Sequence, residues 1–193
     1  STPTAVENEL PFQLIGVGCD FYQYPIERPF GFPVYQWIQT SRGAGVLRQE
    51  GSETRVSEHE GMLLYPDEAH QYQSLEEPWY VHWITFSGHH IQSMLNYVGM
   101  NRTGVYQVSE TAVIESHIRK ALVTLKSDYP LKGIDGSAIV YQLMLDFLKY
   151  YQREGNESHN GTVMRLKPAL DLIESQMDRP LTLEDLAGSI GVT

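Results

Sequence analysis

Apolar and polar positions along the chain change period once, near residue 89. Before that point, short runs rich in Val, Ile, Tyr and Trp alternate with turn-forming residues. The runs are Val34 to Thr40, Gly45 to Arg48, Thr54 to Val56, Met62 to Tyr65, His70 to Gln73 and Tyr80 to Phe86; each has the length and composition of a strand. Their dividers are Ser41-Arg42-Gly43, Gln49-Glu50-Gly51-Ser52, Glu58-His59-Glu60-Gly61, Pro66-Asp67-Glu68 and Leu75-Glu76-Glu77-Pro78. No helical period falls between them, which predicts an antiparallel barrel or sandwich. After that point the period is 3.6. Ile91 to Val98 reads as a short helix. Glu110–Lys126 carries Val113, Ile114, His117, Ile118, Ala121, Leu122 and Leu125 on one stripe, with Ser109 as N-cap. Asp135–Arg153 repeats the stripe with Ile139, Val140, Leu143, Met144, Phe147, Leu148 and Tyr151. The two form a helical hairpin across Tyr129 to Gly133.

Glu154 to Gly161 is polar, holds two glycines and lacks any apolar residue, which marks a linker. Val163 to Met177 is again amphipathic, with Pro168 near its first turn and Asp178-Arg179-Pro180 as its stop. Thr182-Leu183-Glu184-Asp185 then has the form of a capping box, and Gly191 that of a helix C′ residue. The predicted organisation is a barrel over 1–100, a helical segment over 101–154, a linker over 155–162 and the opening of a second domain over 163–193. The fold class is α+β.

Composition narrows the function. Twenty-four acids against 14 Lys and Arg give a net charge of −10, and residues 61–100 contain four acids and no base. A nucleic-acid grip needs a basic stripe or patch, so direct binding of duplex DNA by these residues is not expected. A single cysteine excludes a disulfide framework and any multi-cysteine zinc site. No apolar run approaches the ~18–20 residues of a membrane-spanning helix, and Ser1 to Thr4 do not open a secretion signal. The expectation is a cytoplasmic protein.

Two segments resemble the AraC family of transcriptional regulators. Leu181 to Thr193 is similar to the opening of that family's first helix-turn-helix, with the glycine at the turn and Thr193 as cap of the recognition helix. Ile26-Glu27-Arg28-Pro29, Arg42 to Val46, Glu60 to Pro66, His70-Gln71-Tyr72 and Pro78 to Gly88 are similar to the family's N-terminal effector domain, in order and spacing. The resemblance implies a cupin-like antiparallel β jelly-roll barrel holding a small effector, a helical dimerisation hairpin, and the start of an α-helical DNA-binding domain. The sequence stops before the first recognition helix, so specific DNA contact is expected only through the remaining helix-turn-helix region of a full-length regulator.

Candidate chemistry follows from that frame. Flat rings pack on the C–H faces of sugars, and charged groups bond their hydroxyls. The resemblance places Arg28, Tyr72 and Trp83 on the effector. Val81 stands where a polar histidine is found in sugar-responsive relatives. Tyr35, Trp37 and His70 complete the candidate set, and a mono- or oligosaccharide is the expected effector. The apolar stripe Ile114, Ile118, Ala121, Leu122 and Leu125 is the expected interface of a homodimer.

Other chemistries find less support. A metal-dependent cupin enzyme needs a His-x-His pair near Gly45–Val56, where no histidine occurs, and His70 alone cannot hold a transition metal. His59 reads as a turn residue and His89-His90 as an exposed pair. Cys19 reads as a packed thiol rather than a nucleophile. Neither metal nor cofactor is expected, nor enzymatic activity. A ligand-free dimerisation module with a filled barrel is the remaining alternative.

Overall fold

The computed structural model describes residues 9–152, 166–169, 171–173, 175 and 182–191. In chain order its elements are β1 (Gln13–Tyr22), β2 (Ile26–Arg28), β3 (Tyr35–Gln49), β4 (Ser52–Val56), β5 (Glu60–Leu64), β6 (His70–Ser87), α1 (Ile91–Val98), β7 (Gly104–Val108), α2 (Thr111–Lys126), α3 (Lys132–Tyr150), β8 (Tyr151–Gln152) and α4 (Leu183–Ser189). All strand pairs are antiparallel, along the path β1-β6-β3-β5-β7-β8, with β2 joined to β6 and β4 to β3. The α+β class with an antiparallel sheet stands, and the path is open between its first and last strands.

The two long strands are the main difference from the sequence pattern. Ser41-Arg42-Gly43 and Leu75 to Pro78, expected as turns, lie inside β3 and β6, which stay paired across them through several register shifts. Bulges bend a strand without ending it. Gly43 has φ +80°, and a Cβ there would sit 2.4 Å from the Pro78 carbonyl oxygen, so only glycine fits. Each long strand therefore serves two half-sheets. Tyr35–Thr40 pairs with Val81–Phe86 and, from Gln36, with β5. Gly45–Gln49 pairs with β4 and, through Arg48, with Gln71–Ser74. Strands β1, β2 and β7 carry weaker alternation and were not legible as strands.

Alternation along β3 and β6 divides the interior into two cores. Tyr35, Trp37, Leu63, Ile84 and Phe86 face Ile114, Ile118, Ala121, Leu143 and Phe147 of the helices. Ile38, Leu47, Val56, Met62, Leu64, Tyr72, Trp79 and Val81 fill the barrel, with Ile26, Trp83 and Val105 at its margin.

The helices follow their predicted stripes within three residues. Glu110, not Ser109, is the N-cap of α2, and it makes no side-chain cap bond. The Ser109 hydroxyl instead donates to the Tyr150 carbonyl, because β7 and β8 pair just beside it. Thr182 and Asp185 form the expected capping box, and Gly191 adopts φ +72°. The linker 155–162 and the stop at Asp178 to Pro180 lie outside the described residues. Within the helix expected from Val163 to Met177, residues 166–169, 171–173 and 175 are helical.

Candidate functional site

The mouth of the barrel is built where β2 lies beside the start of β6. Ile26, Glu27 and Arg28 pair with Tyr72, Gln71 and His70, which brings Arg28, His70 and Tyr72 together as expected. The Arg28 guanidinium donates to Gln36 Oε1 at 2.9 Å and stands 4.2 Å above the Phe32 ring. Two neutral partners hold it across the barrel end, and most of its five donors remain free for a ligand.

The His70 ring is stacked on Tyr72 with centroids 6.0 Å apart. Its Nδ1–H donates to the Glu68 carbonyl at 2.7 Å, which fixes the tautomer and leaves Nε2 as an acceptor. That Nε2 is sealed from solvent and has no hydrogen-bond partner among the described residues; the same holds for Ser74 Oγ, two alternations further along β6. Burial pushes the His70 pKa down, against the Glu68 bond, and Arg28 adds to the lowering. The ring is therefore neutral at pH 7. The Tyr72 hydroxyl, its pKa raised by burial, stays protonated and has no hydrogen-bond partner among the described residues. An imidazole acceptor, a phenol and a guanidinium thus converge on one end of an apolar barrel. Orphaned buried polar atoms are rare in proteins and call for an explanation.

Trp83 sits further along, half-buried. Its indole covers β1, where a Cβ on Gly18 would lie 2.3 Å from Nε1, and Phe21 meets its ring edge-on. Val81 is fully buried in the barrel core between Thr40 and Phe21.

Two expected site residues belong elsewhere. Tyr35 and Trp37 lie on the opposite face of β3, packed on Tyr65 and Phe86 and on Phe147 respectively. Residues 36, 38 and 40 take the barrel face instead, so Gln36 joins the site in their place. A glutamine one position from each of Tyr35 and Trp37, on the other face of the strand, was the available signal. The dimer stripe needs a similar correction. Ile114, Ile118 and Ala121 are 0% exposed inside the chain's own core, so they have no surface to offer. Leu122 and Leu125 are half-buried, and Val123 beside them is 70% exposed.

Other features fall outside the barrel. Met94, Tyr97, Val98, Met144 and Leu148, with Ser93, line an apolar groove of about 150 Å³ between α1 and α3. His59 stands in a turn with φ +68°, and His89 and His90 are exposed. Cys19 is half-buried, and burial raises its pKa, which keeps the thiol protonated. Among the described residues no helix is long and apolar enough to cross a membrane, and no three His, Cys, Asp or Glu side chains gather as a metal-ligand set.

None of the curated proteins compared matches the chain. Among solved structures, apo ToxT K231A from Vibrio cholerae is similar at 10% identity and TM-score 0.45, over 95% of this chain and 71% of that one. The AraC-like transcriptional activator CuxR is similar at 10% identity and TM-score 0.43, over 88% of this chain and 63% of its own. A cupin-like protein from Thermotoga maritima is similar over 30% of this chain and 44% of its own, at 19% identity and TM-score 0.26. The AraC-like ligand binding domain matches residues 27–144, which run from the β2 edge of the mouth through the barrel and both long helices. The chain belongs to that family and has the N-terminal domain of an AraC-type transcription regulator.

Proposed function

We propose that this chain senses a small hydroxyl-bearing effector, a mono- or oligosaccharide, in the mouth of the barrel, and that it is not an enzyme. The observation that carries this reading is the sealed, unpaired Nε2 of His70. Leaving such an acceptor unpaired costs on the order of 1–3 kcal/mol, and a ligand hydroxyl donating to it removes that cost. Arg28 and Tyr72 stand on the neighbouring positions with spare donors, and Trp83 supplies a ring face to a sugar.

A second reading, a long-chain carboxylate, is favoured by the lining of Ile38, Leu47, Met62, Leu64 and Val81, with Arg28 to meet the acid. Unsaturated fatty acid is what one ToxT structure holds.

Calorimetric titration with mono- and disaccharides, with C16–C18 fatty acids run in parallel, separates the two. The expected result is a sugar whose affinity falls at least tenfold in Arg28→Ala and in Trp83→Ala, with the far-UV spectrum unchanged. That corresponds to about 1.4 kcal/mol per variant. Binding of the fatty acids alone, or sugar binding indifferent to Arg28, overturns the sugar assignment.

The regulator acts in the cytoplasm as a homodimer, and DNA is contacted through the helix-turn-helix region that α4 opens. A second copy meets the outer face of α2 at Leu122, Val123 and Leu125. The effector works by linkage, favouring one arrangement of barrel and helices and so biasing how the DNA-binding region is presented.

A further inference from the structure

Opposite Trp83 the edge strand β1 is irregular. Gly18 pairs with Trp83 and Phe21 with Val81, so Cys19 and Asp20 together face the single residue His82, and Asp20 has φ +50°. This one-residue bulge touches both sides of the sheet. On the barrel side, Gly18 lies so close under the Trp83 indole that even a Cβ has no room. On the helix side, Cys19 packs on the first core, and the Asp20 backbone N–H donates to His82 Nδ1 at 3.1 Å.

His82 is buried, with only 2% of its side chain exposed. Because Nδ1 accepts from Asp20, its ring proton is on Nε2, which faces Glu115 Oε1 of α2 at 3.5 Å and Asp20 Oδ1 at 3.8 Å. Arg119 of α2 closes the circuit, donating to Glu115 at 2.7 Å and to the Asp20 carboxylate at 3.2 and 3.4 Å. The neighbour of His82 on β3 is Gln39, which is not titratable and donates to the Thr111 carbonyl at the start of α2. Burial pushes the His82 pKa down, against Glu115 and Asp20, and Arg119 adds to the lowering.

We infer that the Gly18–Asp20 bulge, clasped by His82, Glu115 and Arg119, is the latch that couples the position of Trp83 in the barrel to helix α2. The latch has two arrangements. Closed, Asp20 is held by His82 and Arg119. Released, a displacement of the indole has carried Gly18 and the bulge outward and freed both contacts. An indole pressed toward β1 must carry Gly18 with it, and an indole withdrawn or shortened leaves the bulge unsupported, because the two are in close contact and Asp20 is only two residues further on. The exposed Arg119 pairs contribute little by themselves. The buried imidazole, with one acceptor and one donor position, gives the closed state its definition. His82, Glu115 and Arg119 are positioning residues; none touches the barrel interior.

The inference rests on the reading of the barrel as the effector site, but its test needs no effector, so failure of the sugar titration and failure of the latch are distinguishable. Amide hydrogen exchange of Asp20 is followed by NMR at pH 7.5 in this chain. Met62–Leu64 amides in the same sample serve as the standard for global opening. Relative to that standard, His82→Leu speeds Asp20 exchange at least tenfold, and so do Trp83→Ala and the milder Trp83→Phe from the far side of the sheet. Leu47→Ala, in the same barrel but away from β1, changes it less than threefold. Coupling is reciprocal, so Arg119→Gln shifts the Trp83 indole N–H resonance. The latch is overturned if both Trp83 variants leave Asp20 within threefold of the parent, if Leu47→Ala matches their effect, or if the indole resonance ignores Arg119→Gln.

Discussion

The two cores of this molecule share strands β3 and β6 but treat polar groups differently. On the helix side, buried polar groups find partners. Tyr65 donates to the Met100 carbonyl, Gln39 to that of Thr111, and His117 meets Asp146 at 2.6 Å. Burial raises the Asp146 pKa, but hydrogen bonds from Lys149, His117 and Gln142 outweigh it and hold the carboxyl below its usual range. On the barrel side, His70 Nε2 and Ser74 Oγ stay unpaired. A core that serves only stability satisfies its polar atoms or omits them. A core that receives a ligand keeps some of them open, at a cost to the free protein. The difference sets a structural face apart from the face proposed here to sense the effector, on the same sheet.

Substitutions that should damage only the structural face give the largest effects. Ile118→Glu places a charge in a site with no solvent access, a change of several kcal/mol, and is expected to unfold the domain. Val123→Glu, five residues on in the same helix but 70% exposed, is expected to keep the fold and weaken self-association. Urea denaturation and sedimentation velocity separate the two outcomes. Equal stability for both variants would mean that α2 is not docked as described. Trp37→Ala removes a fully buried ring from against Phe147 and should lose about 3–5 kcal/mol. A loss under 1 kcal/mol in chemical denaturation would place Trp37 outside the core.

On the sensing face a smaller effect of opposite character is expected. His70→Phe removes the unpaired acceptor but also the Nδ1–H bond to the Glu68 carbonyl; the two changes oppose each other, so stability should shift by no more than about 1 kcal/mol while sugar affinity drops. A destabilisation above 2 kcal/mol would show that His70 is structural and remove the contrast.

The smallest effect is the pH response. His70 and His82 both have pKa values pushed below 6.5 by burial, so the unfolded chain takes up these protons more readily than the folded one. Their contribution is complete above about pH 6.5 and is lost as the pH falls below it. Denaturation midpoints measured from pH 7.5 to 5 should decline, and decline less in His70→Phe. An identical slope in that variant would remove His70 from the acid response.

Periodicity made the order of the elements legible. The three helices after residue 89, all six expected strand segments (the two ends of β3, β4, β5 and the two ends of β6) and the Thr182–Asp185 capping box all follow from local pattern. The trio Arg28, His70 and Tyr72 came instead from short motifs that resemble the family's effector domain, and the pairing of β2 with β6 brings them together. What local pattern does not contain is which face of a strand meets which layer. Tyr35 and Trp37 look like ligand-facing aromatics until the helices pack on their side of β3, because alternation gives two faces without naming them. Ile114 and Ile118 look like a dimer seam until the chain's own sheet covers them. A strand that bends through bulges also reads as two strands and a turn, since Gly43 carries the same signal in either role.

The sequence by itself determined the fold class and the succession of strands, helical hairpin and capped helix, because these rest on propensities and spacings within a few residues. Tertiary structure alone decided which apolar face is core and which is pocket. It also left His70 Nε2 without a partner and set His82 between the β1 bulge and α2. Those outcomes depend on contacts between residues up to 99 positions apart, as in the Asp20–Arg119 pair, and no local pattern encodes the packing that brings such residues together.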